Sequence, residues 1–400
     1  MQWLNDRCQQ QLDAADQANL RRTLKPVDMS DGRTMKRNST SYLQFASNDY
    51  LGLAAEPVDL GALQLSLPGS GASPLVTGYS QSHSVFEKSL ASFTGYEAGL
   101  YFNSGFTANE GALSTLIQSQ DIVFSDRLNH ASLIDGVLHS KARSIRYHHS
   151  SVDDLKKRLE KTQPSEGGQR WIVTDAVFSM DGDIAPLAEI AQVARDYNAV
   201  LYVDDAHGLG VFGEKGQGSC HALGLSASDV DILMMTCGKA MGASGACVLS
   251  QQTVIDFLVQ KCRSYIYSTA PSPQTLEVAS AQLKKLMLAD QRRQHLKELS
   301  QYLFVELAAR SQQGLFDIQS ESHELQGMHH PVHPVIVGDP AIAISLGQYL
   351  LEHNIIVGVI RPPTVPQGTS RLRVSLNAAH TFEDVARLLN VIDSYFAKSS

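Results

Sequence analysis

Cysteine is scarce and unpatterned in this 400-residue chain. Its five cysteines (Cys8, Cys220, Cys237, Cys247 and Cys262) include no Cys-x-x-Cys pair. An odd, scattered set excludes a disulfide framework and a thiolate zinc site, and fits reduced thiols in a cytosolic protein. Basic residues are not in excess: 33 Lys and Arg face 41 Asp and Glu, a net charge of −8. That balance argues against nucleic acid or an anionic membrane as the main partner. No apolar run approaches the ~20 residues of a membrane span. The opening MQWLNDRCQQQLDAADQ mixes acids with bases, unlike a signal or transit peptide. Internal repeats, heptads and low-complexity tracts are also missing. What is present, 43% hydrophobic and 18% charged residues, describes an ordinary globular chain, and a cytoplasmic enzyme is the expectation.

Residues 1–24 place Leu4, Leu12, Ala15 and Leu20 among polar residues, a pattern that predicts an amphipathic helix ending at Arg21-Arg22. Turn-rich segments follow at 47–53 and 67–83. Beyond residue 84, helical runs (84–94, 106–119, 151–161, 186–197, 252–262) alternate with short apolar strands (99–102, 122–125, 171–177, 200–205, 232–236, 246–250). Continuous apolar strands between helices predict a largely parallel sheet covered on both faces. Long helices over 275–315 lead to a strand, helix, strand, strand, helix series ending near 396. The expected class is α/β with a smaller α+β C-terminal domain. The expected division is an N-terminal helix and arm (1–45), a large domain (46–290) and a C-terminal domain (291–400).

In a parallel sheet, functional groups gather beyond the carboxyl ends of strands. Three predicted strands end there with Asp204, Asp205 and His207, with Thr236 and Lys239, and with Ser179. An amine, a carboxylate, an imidazole and hydroxyls together meet the needs of pyridoxal 5'-phosphate (PLP). Lys239, between Gly238 and Ala240, can approach a ring without crowding, and desolvation would lower its pKa for nucleophilic and base chemistry. Asp204 would keep a pyridine nitrogen protonated, since a carboxylate at the end of an apolar strand needs a cation. Asp205 reads better as a cap or loop acid. His207 either bonds the cofactor or is structural. Ser104-Gly105-Phe106 opens a helix whose backbone donors could take a phosphate, with Thr236 adding a hydroxyl. His130 either stacks on a ring or caps the next helix.

The segments SNDYLGL, GYSQSH, NSGFTAN, DRLNHASLIDG, FSMDGDIAPL, VDDAHGLGVFGEKGQG, TCGKAMG, YSTAPSP and IRPPTVPQGTSRLRVSL run in order across nearly the whole chain. This series resembles the α-oxoamine synthases, PLP enzymes of the aspartate-aminotransferase fold (type I). The RPPTVPQGTSRLR segment and Leu20-Arg21-Arg22 favour the branch that condenses L-alanine with a pimeloyl thioester, as pimeloyl-ACP or pimeloyl-CoA, in biotin biosynthesis.

The resemblance implies a role for each matching residue. Lys239 is the Schiff-base lysine, Asp204 the partner of the pyridine nitrogen, and His207, helped by Ser179, the partner of the phenolic oxygen. His130 stacks on the ring and helps to position substrate. Gly105, Phe106 and Thr236 hold the phosphate. Arg373 clamps the amino-acid carboxylate, Arg21 and Thr364 contact substrate, and Asn48 lies at the mouth. Ser268 and Thr269 reach the phosphate of a neighbouring subunit, implying a homodimer with shared sites; no metal is implied.

The implied reaction is a decarboxylative Claisen-type condensation releasing CO2 and the thiol carrier. Sister synthases making 5-aminolevulinate, 2-amino-3-ketobutyrate, sphingoid bases or quorum signals share these residues. An aminotransferase or a silent PLP-fold subunit is a further alternative, the latter disfavoured by intact Lys239, Asp204 and His207. The chain departs from the family pattern at Pro74, where many relatives carry arginine, in a short 53–68 segment, and at Ala240 in place of glycine.

Overall fold

The computed structural model describes residues 2–58, 67–318, 324–325 and 328–399. The chain opens with helix α1 (Gln2–Gln17), followed by strands β1 (Met29–Ser30), β2 (Thr34–Arg37) and β3 (Thr40–Phe45). A seven-stranded sheet then forms from β4 (Ala98–Phe102), β5 (Ile122–Asp126), β6 (Arg143–Tyr147), β7 (Arg170–Asp175), β8 (Ala199–Asp204), β9 (Ile232–Thr236) and β10 (Ala246–Ser250). Their spatial order is β4-β10-β9-β8-β7-β5-β6. Neighbours from β9 to β6 pair in parallel, and β10 runs antiparallel to both β9 and β4. The expected mainly parallel α/β sheet is present.

Strand alternation splits the core between the two faces of this sheet. Ile172, Leu201, Val203, Leu233 and Met235 pack on one face with Leu155, Leu159, Ile190 and Leu276. Trp171, Val173, Tyr202, Ile232 and Met234 pack on the other with Ala108, Leu113, Leu133 and Leu258. Helices Gly105–Leu116 and Ala131–His139 cover the second face. Because both faces are covered, β5, β9 and β10 are buried at every position.

After a short hairpin of Glu324–Leu325 with Met328–His329, a second sheet joins Val332–Gly338, Ile355–Ile360 and Ser370–Ser375 to the N-terminal strands, with β3 parallel to Ile355–Ile360. The N-terminal strands therefore belong to the same sheet as the C-terminal ones. Helices Pro340–Glu352 and Phe382–Ser399 accompany it. Two local expectations differ from what forms. The first helix stops at Gln17, and Arg21-Arg22 lie in extended chain. The strand expected over 171–177 ends at Asp175, with Val177 making only an isolated bridge to Ile184. The long helices expected over 275–315 form as Pro273–Met287 and Asp290–Gln312. Of the 53–68 segment, residues 59–66 lie outside the described residues. No described helix is long and apolar enough to cross a membrane.

Candidate active site

Lys239 follows β9 on a tight turn in which Gly242 N–H donates to the Lys239 carbonyl at 2.8 Å. Gly242 adopts φ +67, and a Cβ there would lie 2.4 Å from the Ala54 backbone nitrogen. Glycine is thus required for this turn to pack against the SNDYLGL segment. Burial pulls the Lys239 amine down to about 8, against the opposing pull of the Asp204 and Asp175 charges.

Asp204 ends β8 in the parallel neighbourhood of β7 and β9. Its carboxylate accepts from Asn109 Nδ2 at 2.7 Å and from the Ala206 backbone N–H at 2.9 Å. Asn109, on helix Gly105–Leu116, is 1% exposed. Its Nδ2 also reaches Ser132 Oγ at 2.9 Å, and its Oδ1 accepts from the Tyr202 hydroxyl at 2.7 Å. Ser132 Oγ lies 2.7 Å from His130 Nδ1. His130 caps helix Ala131–His139, its Nδ1 accepting from the Ser132 backbone N–H at 3.3 Å. Its own backbone N–H donates to Asp175 Oδ2 at 2.7 Å, while the ring lies exposed to the cleft. The cap and the open ring coexist, so the two readings of His130 do not compete. Asp205 instead accepts from Ser219 N and Oγ, both at 2.6 Å, the loop-acid role expected for it. Its burial raises its pKa to about 7.

His207 is buried, with Nδ1 2.7 Å from the Tyr50 hydroxyl. Burial holds its pKa well below the ordinary value, and the charges of Lys239, His330, Arg373 and His130 add to that. Arg373, on Ser370–Ser375, is buried and held on several edges. Its Nε donates to the Ser179 carbonyl, NH1 to Asn48 Oδ1 at 3.0 Å and Ser375 Oγ at 2.8 Å, and NH2 to the Tyr50 hydroxyl at 3.4 Å. Ser179 thus enters the site through its carbonyl, as an anchor for Arg373. One NH2 hydrogen remains beyond these contacts.

On the other side, Ser104 caps its helix by accepting from Thr107 N–H. Gly105 and Phe106 supply the first N–H groups of that helix, which have no intrahelical acceptor. A Cβ built on Gly105 would come within 3.9 Å of Thr236 Oγ1. The helix terminus and the hydroxyl therefore line one small hollow. Thr236 Oγ1 itself donates to the Gly245 carbonyl at 3.1 Å and accepts from Gly238 N–H at 3.3 Å. Asn103 Nδ2 donates to the Thr269 carbonyl at 3.1 Å, tying the 267–273 segment to this end.

The donor set fits PLP. An anion-binding helix terminus lies at one end, an anionic carboxylate on fixed donors at the other, and a softened amine and an open imidazole face the space between. Arg21 and Thr364 are placed differently. Arg21 pairs with Asp16 at 3.1 Å, and Thr364 Oγ1 accepts from Arg22 at 3.4 Å. Arg21 and Arg22 line a cavity of about 590 Å³ with Arg37 and Arg361, above apolar Ile344, Leu351 and Val359. Its lining includes none of Lys239, Asp204, His130 or His207.

Tyr50, Asn109, Ser132, Asp175 and Tyr202 were not singled out by sequence reasoning. Three of them lie inside the quoted motifs: Tyr50 in SNDYLGL, Asn109 in NSGFTAN and Ser132 in DRLNHASLIDG. Most of their contacts join elements far apart in the chain, which spacing does not encode.

The chain matches the family described as aminotransferase class I and II over residues 40–392. It is 43% identical to the 8-amino-7-oxononanoate synthase of Marinobacter nauticus, covering 96% of this chain and 94% of that protein. It is 44% identical to that of Cellvibrio japonicus, covering 92% and 88%. Among solved structures, a Sphingomonas wittichii serine palmitoyltransferase superposes with a TM-score of 0.86 at 31% identity, covering 97% and 96%. A structure of SPT with PLP gives 0.85 at 28% identity, covering 94% and 92%. The Francisella tularensis 8-amino-7-oxononanoate synthase gives 0.76 at 28% identity, covering 90% and 98%. The same fold and nearly full-length identity settle the grouping: this chain belongs to the class I and II aminotransferase family and, within it, to the PLP-dependent 8-amino-7-oxononanoate synthases.

Proposed function

We propose that this enzyme condenses L-alanine with a pimeloyl thioester, releasing CO2 and the free thiol carrier, to give 8-amino-7-oxononanoate. The observation that carries this reading is the convergence of a lysine softened to about 8 with Asp204, His130, His207 and Arg373. PLP, when bound, supplies an electron sink for the negative charge that develops at the amino-acid α carbon. Lys239, Asp204, His207, Ser179, His130, Gly105, Phe106 and Thr236 would hold it.

The chain's own residues do the rest. Burial, which lowers the Lys239 pKa to about 8, makes the neutral Nζ accessible near neutral pH. It is therefore competent to take a proton from the α carbon and return it. Arg373, fixed by Ser179, Asn48, Ser375 and Tyr50, presents its remaining NH2 hydrogen to the alanine carboxylate. With Nδ1 engaged by the Tyr50 hydroxyl, His207 would offer Nε2 to the cofactor oxygen. The Arg21, Arg22 and Arg361 rim over an apolar floor suits the far end of a dicarboxylate acyl chain, with Thr364 beside it.

We further read the enzyme as a homodimer in which Ser268 and Thr269 complete the neighbouring site. Exposed Leu75, Val76, Phe106 and Tyr267 support that reading, being apolar surface near the same end of the fold. Five free cysteines fit a cytoplasmic location. Thiol release tests the function, using L-alanine, glycine and serine against pimeloyl, succinyl, acetyl and long-chain acyl thioesters. Release confined to L-alanine with the pimeloyl donor supports the reading. Release with L-serine and a long-chain donor would replace it with a sister synthase activity.

A further inference from the structure

Two groups expected to hold the cofactor ring, Asp204 and His130, are joined by one hydrogen-bond chain that runs through Asn109 and Ser132. Asp204 is the fixed end, because a carboxylate only accepts. Its neighbour on Asn109, 2.7 Å away, must therefore be the amide nitrogen, and the Tyr202 hydroxyl donating to Oδ1 at 2.7 Å agrees. The second Nδ2 hydrogen donates to Ser132 Oγ at 2.9 Å. The Ser132 hydroxyl keeps its own hydrogen and lies 2.7 Å from His130 Nδ1. Independently, the Ser132 backbone N–H, which can only donate, points at the same Nδ1 at 3.3 Å. A backbone donor aimed at Nδ1 requires an unprotonated nitrogen there, so the ring proton sits on Nε2 and the Ser132 hydroxyl donates to Nδ1 as well. Asn109 and Ser132 are each 1% exposed, so the middle of the chain is shielded from water.

We propose that Asn109 and Ser132 are positioning residues that hold His130 as the neutral, Nε2-protonated tautomer and keep the Asp204 carboxylate oriented as an anion. This rests on the reading of the cleft as the PLP site. An imidazolium over a ring protonated beside Asp204 would set like charges face to face, whereas a neutral ring avoids that and offers Nε2–H as a donor to substrate. The charges around His130 are Asp204 and Asp135, which favour its protonation, Lys239, which opposes it, and Asp175 at its backbone. Burial pulls its pKa below the ordinary value, in the same direction as the two donors on Nδ1.

The test is nitrogen-15 NMR on the full-length protein labelled at histidine, with and without PLP, the His130 signals assigned by their loss in His130→Gln. The expected result is an unprotonated Nδ1 and a protonated Nε2 before any PLP is added. In Ser132→Ala, His130 should titrate roughly half to one pH unit higher, because one donor on Nδ1 is gone. In Asn109→Ala, checked for native circular dichroism, PLP should dissociate roughly three- to tenfold more readily, because Asp204 loses a donor. A protonated Nδ1 in the wild type, or an unchanged titration in Ser132→Ala, overturns the proposal. Failure of the wild type to bind PLP would overturn the reading of the cleft and leave the tautomer measurement standing.

Discussion

His149 offers a stability prediction with a defined sign. The ring is sandwiched between Asp126, 3.0 Å from Nδ1, and Asp183, 2.7 Å from Nε2, with Phe178 meeting it edge-on. Asp183 and Phe178 belong to the FSMDGD turn whose Ser179 carbonyl anchors Arg373. Burial alone would lower the His149 pKa, but hydrogen bonds donated by the ring to the two carboxylates, and their charges, raise it from 6.5 to about 9. A folded-state pKa above the unfolded value means stabilisation by the charged form. That stabilisation is complete below about pH 6.5 and disappears as the pH rises through about 9. The difference corresponds to roughly 3 kcal/mol. For a chain of 400 residues, unfolding near 60 °C carries an entropy of about 0.8 kcal/mol/K, so this amounts to about 4 °C in Tm. The assay is thermal unfolding of wild type and His149→Gln across pH 6 to 10. Because the variant lacks the titrating ring, the wild-type advantage should be largest near pH 6 and shrink by about 4 °C by pH 10. An advantage that stays constant or grows with pH would refute the assignment.

Three further outcomes follow from the site. Capture of PLP by the apoenzyme should accelerate as pH rises through about 8, where Lys239 loses its proton. In Asp204→Asn that midpoint should fall, since Asp204 holds the lysine pKa up; stopped-flow absorbance reads both. Arg373→Lys removes the planar fork gripped by Asn48, Ser375, Tyr50 and Ser179. It should lower kcat/KM for alanine by about 10- to 100-fold, with less change in KM for the thioester. Cys237 is fully buried and its thiol pKa pushed up by burial. Thiol reagents at neutral pH should therefore label exposed Cys8 and spare Cys237, as peptide mass spectrometry would show.

The sequence makes the parallel sheet legible because its central strands are buried on both faces and so read as continuous apolar runs. Strand β6, RSIRY, escapes that signal. Its burial pattern leaves only Tyr147 fully covered, as befits an edge strand. The pairing of β3 with Ile355–Ile360 joins residues more than 300 positions apart and has no local signature. Among site residues, Lys239, Asp204 and His207 stand at strand ends and are readable from that position. Asn109 and Ser132 look like ordinary helical polar residues. Their meaning comes from the packing of helices Gly105–Leu116 and Ala131–His139, where a Cβ on Gly136 would lie 3.0 Å from the Asn109 carbonyl. Arg21 and Thr364 are expected to contact substrate, and Arg21 lines an arginine-rimmed cavity apart from Lys239 while Thr364 accepts from Arg22. Residue type alone did not distinguish the two places.

The central claim is that Lys239 carries the cofactor. Borohydride reduction of the PLP-loaded enzyme, followed by peptide mass spectrometry, tests it directly. A pyridoxyl phosphate mass added to Lys239 alone, and lost together with the cofactor absorbance and all turnover in Lys239→Ala, is the predicted result. The same mass on another lysine, or turnover retained in Lys239→Ala, would contradict the account.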